Sequence, residues 1–196
     1  GFAYMSKLTM PKIHVNIGQL HACREPAILN TLLGSCVSAC LFDPEARVAG
    51  MNHILLVHKA DMEHFDASTR YGIHAMEVLI NEMIQLGARR SRLHAKAFGG
   101  GNVLAMGNPD NITPGQRNVE FLINFLQMEK IPLLAYDFGG PWTRVINFHT
   151  DTYDVFVKKT QRKLRDVTIQ EEGLFRQEVS QGVDHEEGGE ITLFDD

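Results

Sequence analysis

The chain has 196 residues, of which 44% are hydrophobic and 22% are charged. This composition is typical of a single globular domain and excludes collagen-like, coiled-coil and wholly disordered chains. The 19 basic and 24 acidic residues give a formal net charge of −5, which argues against a dedicated nucleic-acid-binding protein.

The sequence also argues against insertion into a membrane and against export. A membrane-spanning helix needs about 18 consecutive apolar residues, and the most apolar stretch, residues 28–42, is interrupted by polar residues and a glycine. The first ten residues contain no basic region followed by an apolar run, so we expect no secretory signal and a cytoplasmic location. The three cysteines, Cys23, Cys36 and Cys40, are therefore interpreted as thiols and not as a disulfide framework.

Strand patterns dominate the first third of the chain. Alternation of polar and apolar residues, and apolar runs bounded by turn-forming residues, predict four strands: Lys12–Ile17, Ala27–Leu33, Val37–Phe42 and Val48–Val57. The turn-forming pair Asp43-Pro44 predicts that the third and fourth strands form a hairpin. Cys23 lies beside Arg24 and Glu25, and we expect it to be an exposed loop thiol.

Two amphipathic helices follow. Apolar residues recur every three or four positions over Tyr71–Leu86, where Ser68 or Thr69 can cap the start and Gly87 suits the position past the end. Thr113-Pro114-Gly115-Gln116 is a helix start, and that helix is predicted to end near Lys130. Further strands are predicted over Leu93–Phe98, Ile131–Phe138, Arg144–Phe148 and Tyr153–Lys158. This order predicts a mixed α/β fold with largely antiparallel β layers flanked by helices.

Acidic residues are concentrated at the C-terminus. Residues 171–196 contain nine acidic residues and one basic residue, whereas the rest of the chain has a small basic excess. We divide the chain into an N-terminal extension over 1–12, a folded domain over 13–168 and an acidic tail over 169–196. Such a tail is usually solvated; the alternative is that its apolar segment Ile191–Phe194 binds a partner or folds back over the domain.

The turn Gly34-Ser35-Cys36 is the first candidate for chemistry. A thiol directly after Gly-Ser, where a strand ends, is expected to be exposed, and the amides of the turn can then face a developing oxyanion. Gly34 also removes a side chain that would block a substrate. The alternative is that Cys36 is a small buried hydrophobe, which is the stronger interpretation of Cys40 because of its apolar surroundings.

A cysteine nucleophile needs a base, because a free thiol with a pKa of about 8.5 is mostly protonated at neutral pH. His53 stands out among nine histidines because it lies inside an apolar strand, where its ring needs a partner. The predicted hairpin places it across from the segment that follows Cys36, although a lone buried histidine is more often a structural residue. We expect no metal site and no cofactor, since His53, His58 and His64 fit no standard zinc spacing.

Two further features remain open at this point. The run Gly99-Gly100-Gly101 lacks the lysine and hydroxyl residue of a phosphate loop, so it is either a turn near the active site or a flexible strand exit. Arg117 and Asn118, near the start of the second helix, either contact a substrate or cap a neighbouring loop.

Four segments in the same order resemble the chemoreceptor glutamine deamidases of the CheD family. They are LGSCVSACLFDP (33–44), AGMNHILLV (49–57), YGIHAMEVLINEMIQLGARRSRLHAKAFGGGNV (71–103) and GQRNVEFLINFLQMEKIPLLAYDFGG (115–140). The resemblance implies a CheD-like layered sandwich and a catalytic set in which Cys36 is the nucleophile, His53 the base and Thr31 the residue that orients the base, with Gly34 and Ser35 forming the oxyanion turn. Thr-Pro-Gly-Gln at 113–116 and Val57-His58 depart from the family pattern.

The resemblance also implies an activity and two partners. The activity is conversion of selected glutamines on the cytoplasmic helices of bacterial chemoreceptors to glutamate. From the chemistry of the thiol we expect a cysteine thioester intermediate, and we expect glutamyl methyl esters, which have nearly the same shape as glutamine, to be a side substrate. The second partner is a CheC-type phosphatase of the chemotaxis response regulator. The alternatives are a non-catalytic adaptor that regulates such a phosphatase, and a redox-sensing protein in which Cys36 and Cys40 form a disulfide.

Overall fold

The computed structural model describes residues 10–56, 63–102, 112–160 and 191–195. Ten strands lie in these ranges: β1 (Lys12–His14), β2 (Leu20–Cys23), β3 (Ile28–Leu33), β4 (Val37–Asp43), β5 (Val48–Asn52), β6 (His94–Gly99), β7 (Leu133–Phe138), β8 (Thr143–His149), β9 (Val155–Thr160) and β10 (Ile191–Phe194). The two long helices are α1 (Glu63–Gln85) and α2 (Pro114–Met128), and a 3-10 turn covers Arg90–Arg92. Neither α-helix combines the length and apolarity that a bilayer crossing requires.

The strands form two five-stranded sheets. The first sheet has the order β1-β3-β8-β9-β10 and the second the order β2-β5-β4-β6-β7. The pairs β1–β3 and β6–β7 are parallel, and the remaining pairs are antiparallel. The predicted α/β fold with largely antiparallel layers is confirmed.

Two apolar cores hold three layers together. One core lies between the two sheets, and the other lies between the second sheet and the helices. Because side chains alternate along a strand, β4 contributes Val37 and Leu41 to the core under the helices and Cys40 and Phe42 to the core between the sheets. The molecule is thus a layered sandwich, and its central sheet is buried on both faces.

The predicted β4–β5 hairpin and the predicted start of α2 are confirmed. Asp43 closes the hairpin turn, since its Oδ1 accepts hydrogen bonds from the amides of Glu45 and Ala46 at 3.0 and 3.1 Å. Thr113 caps α2 by accepting from the Gln116 amide, and the Gln116 side chain accepts in turn from the Thr113 amide. Both signals are local in sequence, which explains why they predict the structure well.

The predicted start of α1 is wrong. The helix begins at Glu63, and Ser68, predicted as a cap, is a buried residue inside it. The apolar stripe starts only at Ile73, so the first two turns carry little periodic signal.

The prediction of one strand over Lys12–Ile17 is also wrong in its extent. β1 ends at His14, and the chain turns at Gly18, whose φ of 78° is readily adopted only by glycine. It then forms β2, which pairs with β5. Cys23 is the last residue of β2 and is half-buried, so the expected exposed loop thiol is not found; burial raises the pKa of that thiol.

The C-terminal apolar segment folds back over the domain as β10. It pairs antiparallel with β9, and the Phe194 ring packs edge-on against Phe98 with centroids 5.3 Å apart. Lys96 is fully buried between the sheets and donates hydrogen bonds to the carbonyls of Tyr153 at 2.7 Å and Phe194 at 3.1 Å. This segment of the tail therefore docks on the domain as an edge strand, although most of its side chains remain exposed; residues 161–190 and the predicted domain bounds near 168 lie outside the described ranges.

Deleting residues 191–196 is expected to lower the free energy of unfolding by about 2–3 kcal/mol, because the Lys96 ammonium loses an acceptor and the Phe194 contact is lost. Urea denaturation of the purified chain measures this change. The control is Ile191→Ser, whose side chain is 66% exposed and whose replacement is expected to cost less than about 0.5 kcal/mol. Equal stability of the deletion variant and the intact chain would contradict this role of β10.

Candidate active site

The three predicted catalytic residues come from three segments that meet at one end of the core between the sheets. Thr31 lies on β3. It faces the same core as Leu29 and Leu33, because residues two positions apart on a strand point to the same side. Cys36 follows the turn that carries the chain from the first sheet to the second, and His53 follows β5. All three residues are buried.

Strand pairing brings His53 next to Cys36. Beyond the end of β5, Ile54 pairs with Val37 through two backbone hydrogen bonds of 2.8 and 3.0 Å. This register sets Cys36 and His53 diagonally across from each other on the face toward the first sheet. Diagonal neighbours in an antiparallel pair lie about 7–8 Å apart at their backbones, within reach of a ring side chain. The predicted juxtaposition of the two segments is confirmed.

A hydrogen bond to Thr31 defines which ring nitrogen of His53 carries the proton. The Thr31 hydroxyl donates to the Val15 carbonyl at 2.7 Å, and the same oxygen lies 2.7 Å from His53 Nδ1. A hydroxyl has one proton, and a carbonyl only accepts. Thr31 Oγ1 must therefore accept from the Nδ1–H of His53, and in the neutral ring Nε2 carries the lone pair that a general base uses.

The backbone of His53 is held by the turn between β1 and β2. The Gly18 amide donates to the His53 carbonyl at 2.9 Å, and the His53 amide donates to the Gln19 carbonyl at 3.1 Å. The sequence interpretation assigned no role to this turn. The signal that marks it is Gly18 at the end of an alternating segment, where a positive φ breaks the strand.

The run Gly99-Gly100-Gly101 packs against the turn that carries Cys36. The amide of Gly100 donates to the Cys36 carbonyl at 2.8 Å, and the amide of Gly101 donates to the Gly34 carbonyl at 2.9 Å. A Cβ atom on Gly99 would lie 2.2 Å from the Cys36 carbonyl oxygen, so a larger residue cannot be accommodated there without a shift. Of the two interpretations left open above, the turn beside the candidate site is the one observed.

Asn118 holds the third carbonyl of the same turn. Its Nδ2 donates to the Ser35 carbonyl at 2.8 Å, and its Oδ1 accepts from the Leu56 amide at 3.0 Å. In a trans peptide the N–H points opposite to the preceding C=O, and the chain contains no described cis bond. The amides of Ser35 and Cys36 therefore point away from the glycine run and from Asn118.

The expected exposure of Cys36 is wrong, because the residue is only 1% exposed and packs in the core between the sheets. Its position in the strand alternation accounts for this, since Cys36 immediately precedes β4 and shares the inward face of Cys40. What sets Cys36 apart from Cys40 is the strand register, which places the imidazole of His53, itself hydrogen-bonded to Thr31, diagonally across from it.

Cys40 has polar neighbours of its own, a hydrogen bond with Ser38 and the nearby Lys96 ammonium, but burial outweighs both and raises the pKa of its thiol to about 12. Four residues of extended chain separate it from Cys36, a Cα separation of roughly 13 Å, whereas a disulfide needs less than about 7 Å. The geometry therefore argues against the redox alternative.

Within the described ranges, no group of three or more side chains is arranged to hold a metal ion. Of the histidines considered for such a site, His58 and the side chain of His64 lie outside those ranges.

Comparison with known proteins identifies the family. A family model described as "CheD chemotactic sensory transduction" matches residues 55–159. The chain is 40% identical over 179 residues to a "Probable chemoreceptor glutamine deamidase CheD 1" of Shewanella oneidensis, which covers 90% of this chain and 84% of the relative. It is 44% identical over 181 residues to a protein of the same name from Geobacter sulfurreducens, with 85% and 89% of the two chains covered.

A third relative extends the match over nearly the whole length of both chains. It is a "Probable chemoreceptor glutamine deamidase CheD 2" of Chromobacterium violaceum, 40% identical over 198 aligned residues, which cover 97% of this chain and 94% of the relative. The resemblance noted from four sequence segments is thereby confirmed, and the chain belongs to the CheD family.

Proposed function

We propose that the chain hydrolyses the side-chain amide of selected glutamines on the cytoplasmic helices of bacterial chemoreceptors, which yields glutamate and ammonia. Family membership and the names of the relatives support the activity and its substrate. The observation that carries the chemistry is the Thr31–His53 hydrogen bond of 2.7 Å, because it leaves Nε2 as the basic atom of a ring that the strand register sets diagonally across from Cys36. The receptor helices to be modified place the reaction in the cytoplasm.

The first half of the reaction forms a thioester. His53 Nε2 takes the proton of Cys36 Sγ, and the thiolate attacks the carboxamide carbon of the substrate, whose C=O bond becomes an oxyanion. The amides of Ser35 and Cys36 are the proposed oxyanion donors, since their carbonyl partners are directed toward the glycine run and Asn118. The imidazolium then protonates the amide nitrogen, the C–N bond breaks and ammonia leaves.

The second half hydrolyses the thioester. Water attacks the thioester carbon and gives a proton to His53 Nε2, and the C–S bond breaks to release glutamate and regenerate the thiol. The hydroxyl of Thr31 fixes the orientation of the ring but stabilises an imidazolium less than a carboxylate would. We therefore expect modest turnover.

A glutamyl methyl ester fits the same mechanism, because it has nearly the shape of glutamine and loses methanol in place of ammonia. We propose it as a side substrate. Parallel assays of ammonia and methanol from matched receptor fragments, one amidated and one methylated, measure the ratio of the two activities.

Incubation of the purified chain with a receptor cytoplasmic fragment tests the proposed function. Ammonia release and conversion of specific glutamines to glutamate, read by mass spectrometry of peptides, are the expected results. Added hydroxylamine is expected to divert part of the product to a glutamyl hydroxamate, because it attacks the thioester in competition with water. Absence of both ammonia and hydroxamate would contradict the proposal.

A non-catalytic adaptor is the second candidate function, and the burial of Cys36 is the observation that favours it. In that function the chain would bind a CheC-type phosphatase and regulate it without using the thiol. Phosphatase binding in the absence of any ammonia release would support the adaptor, whereas both activities together are compatible with an enzyme that also has this partner.

Substitutions at Thr31 test whether its hydroxyl orients the His53 ring or whether its side chain only fills space. Thr31→Val keeps the shape but removes the acceptor for Nδ1–H, so we expect kcat to fall about 10- to 100-fold, which corresponds to roughly 1.4–2.7 kcal/mol of activation free energy. Thr31→Ser keeps the hydroxyl and is expected to stay within about threefold of the wild type. Equal rates for the serine and valine variants in the ammonia assay would contradict the orienting role.

A further inference from the structure

Asn118 occupies an unusual position in the hydrogen-bond pattern of the second sheet. The Val37–Ile54 pair is an isolated bridge that is bonded in both directions; if a regular antiparallel ladder continued from it, bonded pairs would recur every second residue. The next bonded pair would therefore be Ser35 with Leu56, whose amide would donate to the Ser35 carbonyl. Instead, that amide donates to Asn118 Oδ1, and Asn118 Nδ2 donates to the Ser35 carbonyl.

The side-chain amide of Asn118 thus takes the place of one ladder hydrogen bond. Two bonds of 3.0 and 2.8 Å in series, with an amide group between them, replace a single bond of about 2.9 Å. A bridge of this length holds the Ser35 carbonyl and the Leu56 amide farther apart than a direct hydrogen bond would. Ser35 directly precedes the candidate nucleophile Cys36. Leu56 lies three residues after the candidate base His53.

The orientation of the Asn118 amide is unambiguous and its support is rigid. The residue is fully buried, and exchange of its O and N atoms would set two acceptors or two donors against each other. It lies on α2, in the second turn of the helix. Gly115 lies three residues before Asn118 on the same helix and packs closely on the glycine run. A Cβ atom on Gly115 would lie 2.4 Å from the Gly100 carbonyl oxygen.

We infer that Asn118 is a positioning residue for the deamidation reaction: its amide is a spacer between Ser35 and Leu56 that sets the opening of the two strands at Cys36 and the direction of the Cys36 amide. The inference rests on the function proposed above. It differs from a merely structural role because removal of the spacer leaves two backbone groups that can bond to each other directly. The sheet can therefore close and remain folded while the site loses its geometry.

The test compares Asn118→Ala and Asn118→Asp with Thr113→Ala. The alanine variant removes the spacer, and the aspartate variant keeps the acceptor for Leu56 but loses the donor to Ser35. Thr113→Ala weakens the same helix by removing its cap and leaves both Asn118 bonds in place. All variants are made with Cys23→Ser, so that Cys36 is the reactive thiol that iodoacetamide labels.

Two measurements are made on each folded variant: kcat and KM for ammonia release, and the pH midpoint of Cys36 alkylation. We expect both Asn118 variants to lose about 30- to 100-fold in kcat with KM within about threefold, and their alkylation midpoint to rise by about one pH unit. Thr113→Ala is expected to match the wild type in kcat and in midpoint. If the alanine variant does not fold, the aspartate variant, which has nearly the same shape, decides.

The outcomes separate this inference from the proposed function. Wild-type kcat and midpoint in the Asn118 variants, with an active wild-type chain, would overturn the inference alone. A wild-type chain that releases no ammonia would overturn the proposed function. In that case a difference in the pH midpoint of Cys36 alkylation between the Asn118 variants and the wild type would still test whether Asn118 positions Cys36. An equal loss of kcat in Thr113→Ala would assign the effect to the stability of α2 and would overturn the positioning role.

Discussion

Replacement of Cys36 by alanine is expected to abolish ammonia release from receptor fragments, with a loss of at least about 10⁴-fold, because no other group in the site forms the thioester. The thiol is buried between the sheets, so its removal also leaves a small cavity. We expect the variant to lose about 1 kcal/mol in free energy of unfolding and to remain folded. Ammonia release and urea denaturation measure the two effects separately.

Cys40→Ala is the matched control for this substitution. Both cysteines are buried, one directly before β4 and one in its middle, and they face the same core. The control therefore loses a similar packing contribution while the candidate nucleophile remains. Ammonia release by Cys36→Ala at more than a few per cent of the wild-type rate would contradict a thioester mechanism through this residue.

Replacement of His53 by glutamine is expected to have the second largest effect. Glutamine has no titratable nitrogen to take the Cys36 proton or to protonate the departing amide. We expect kcat for ammonia release to fall by about 10³-fold or more at neutral pH. Steady-state rates between pH 6 and 9, about the range in which histidines and thiols titrate, measure the loss.

His21→Gln is the control for the histidine variant. His21 lies on β2 and pairs with Met51, two residues before His53, so the control makes the same chemical change in the neighbouring strand. Its ammonia release is expected to equal that of the wild type. A His53→Gln variant that keeps more than about a tenth of the wild-type rate would show that another group is the base.

The elements that local signals define could be predicted from the sequence. The Asp43-Pro44 turn and the Thr113–Gln116 cap each specify a backbone conformation within four residues, and both predictions agree with the structure. The start of α1 and strand β2 could not be predicted in the same way. The first lacks a cap motif and an apolar stripe, and the second depends on pairing with β5.

The sequence predicts candidate residues for the site but not how they are arranged. The hairpin predicts that His53 faces the Cys36 segment, and the resemblance supplies Thr31. The burial of Cys36 depends on which face of the sheet the residues at the start of β4 occupy. The Gly34-Ser35 turn does not predict that face. Asn118 contacts residues 62 and 83 positions away, so only the packing of α2 against the two strands discloses what it holds.

The central claim is that the Cys36 thiol is deprotonated by His53, and the pH dependence of Cys36 alkylation tests it most directly. Rates are measured with iodoacetamide in the Cys23→Ser chain, with and without His53→Gln, by mass spectrometry of the Cys36 peptide. The account predicts a lower midpoint in the first protein than in the second, because the imidazole that accepts the Cys36 proton is present only in the first. The same midpoint in both proteins would contradict it.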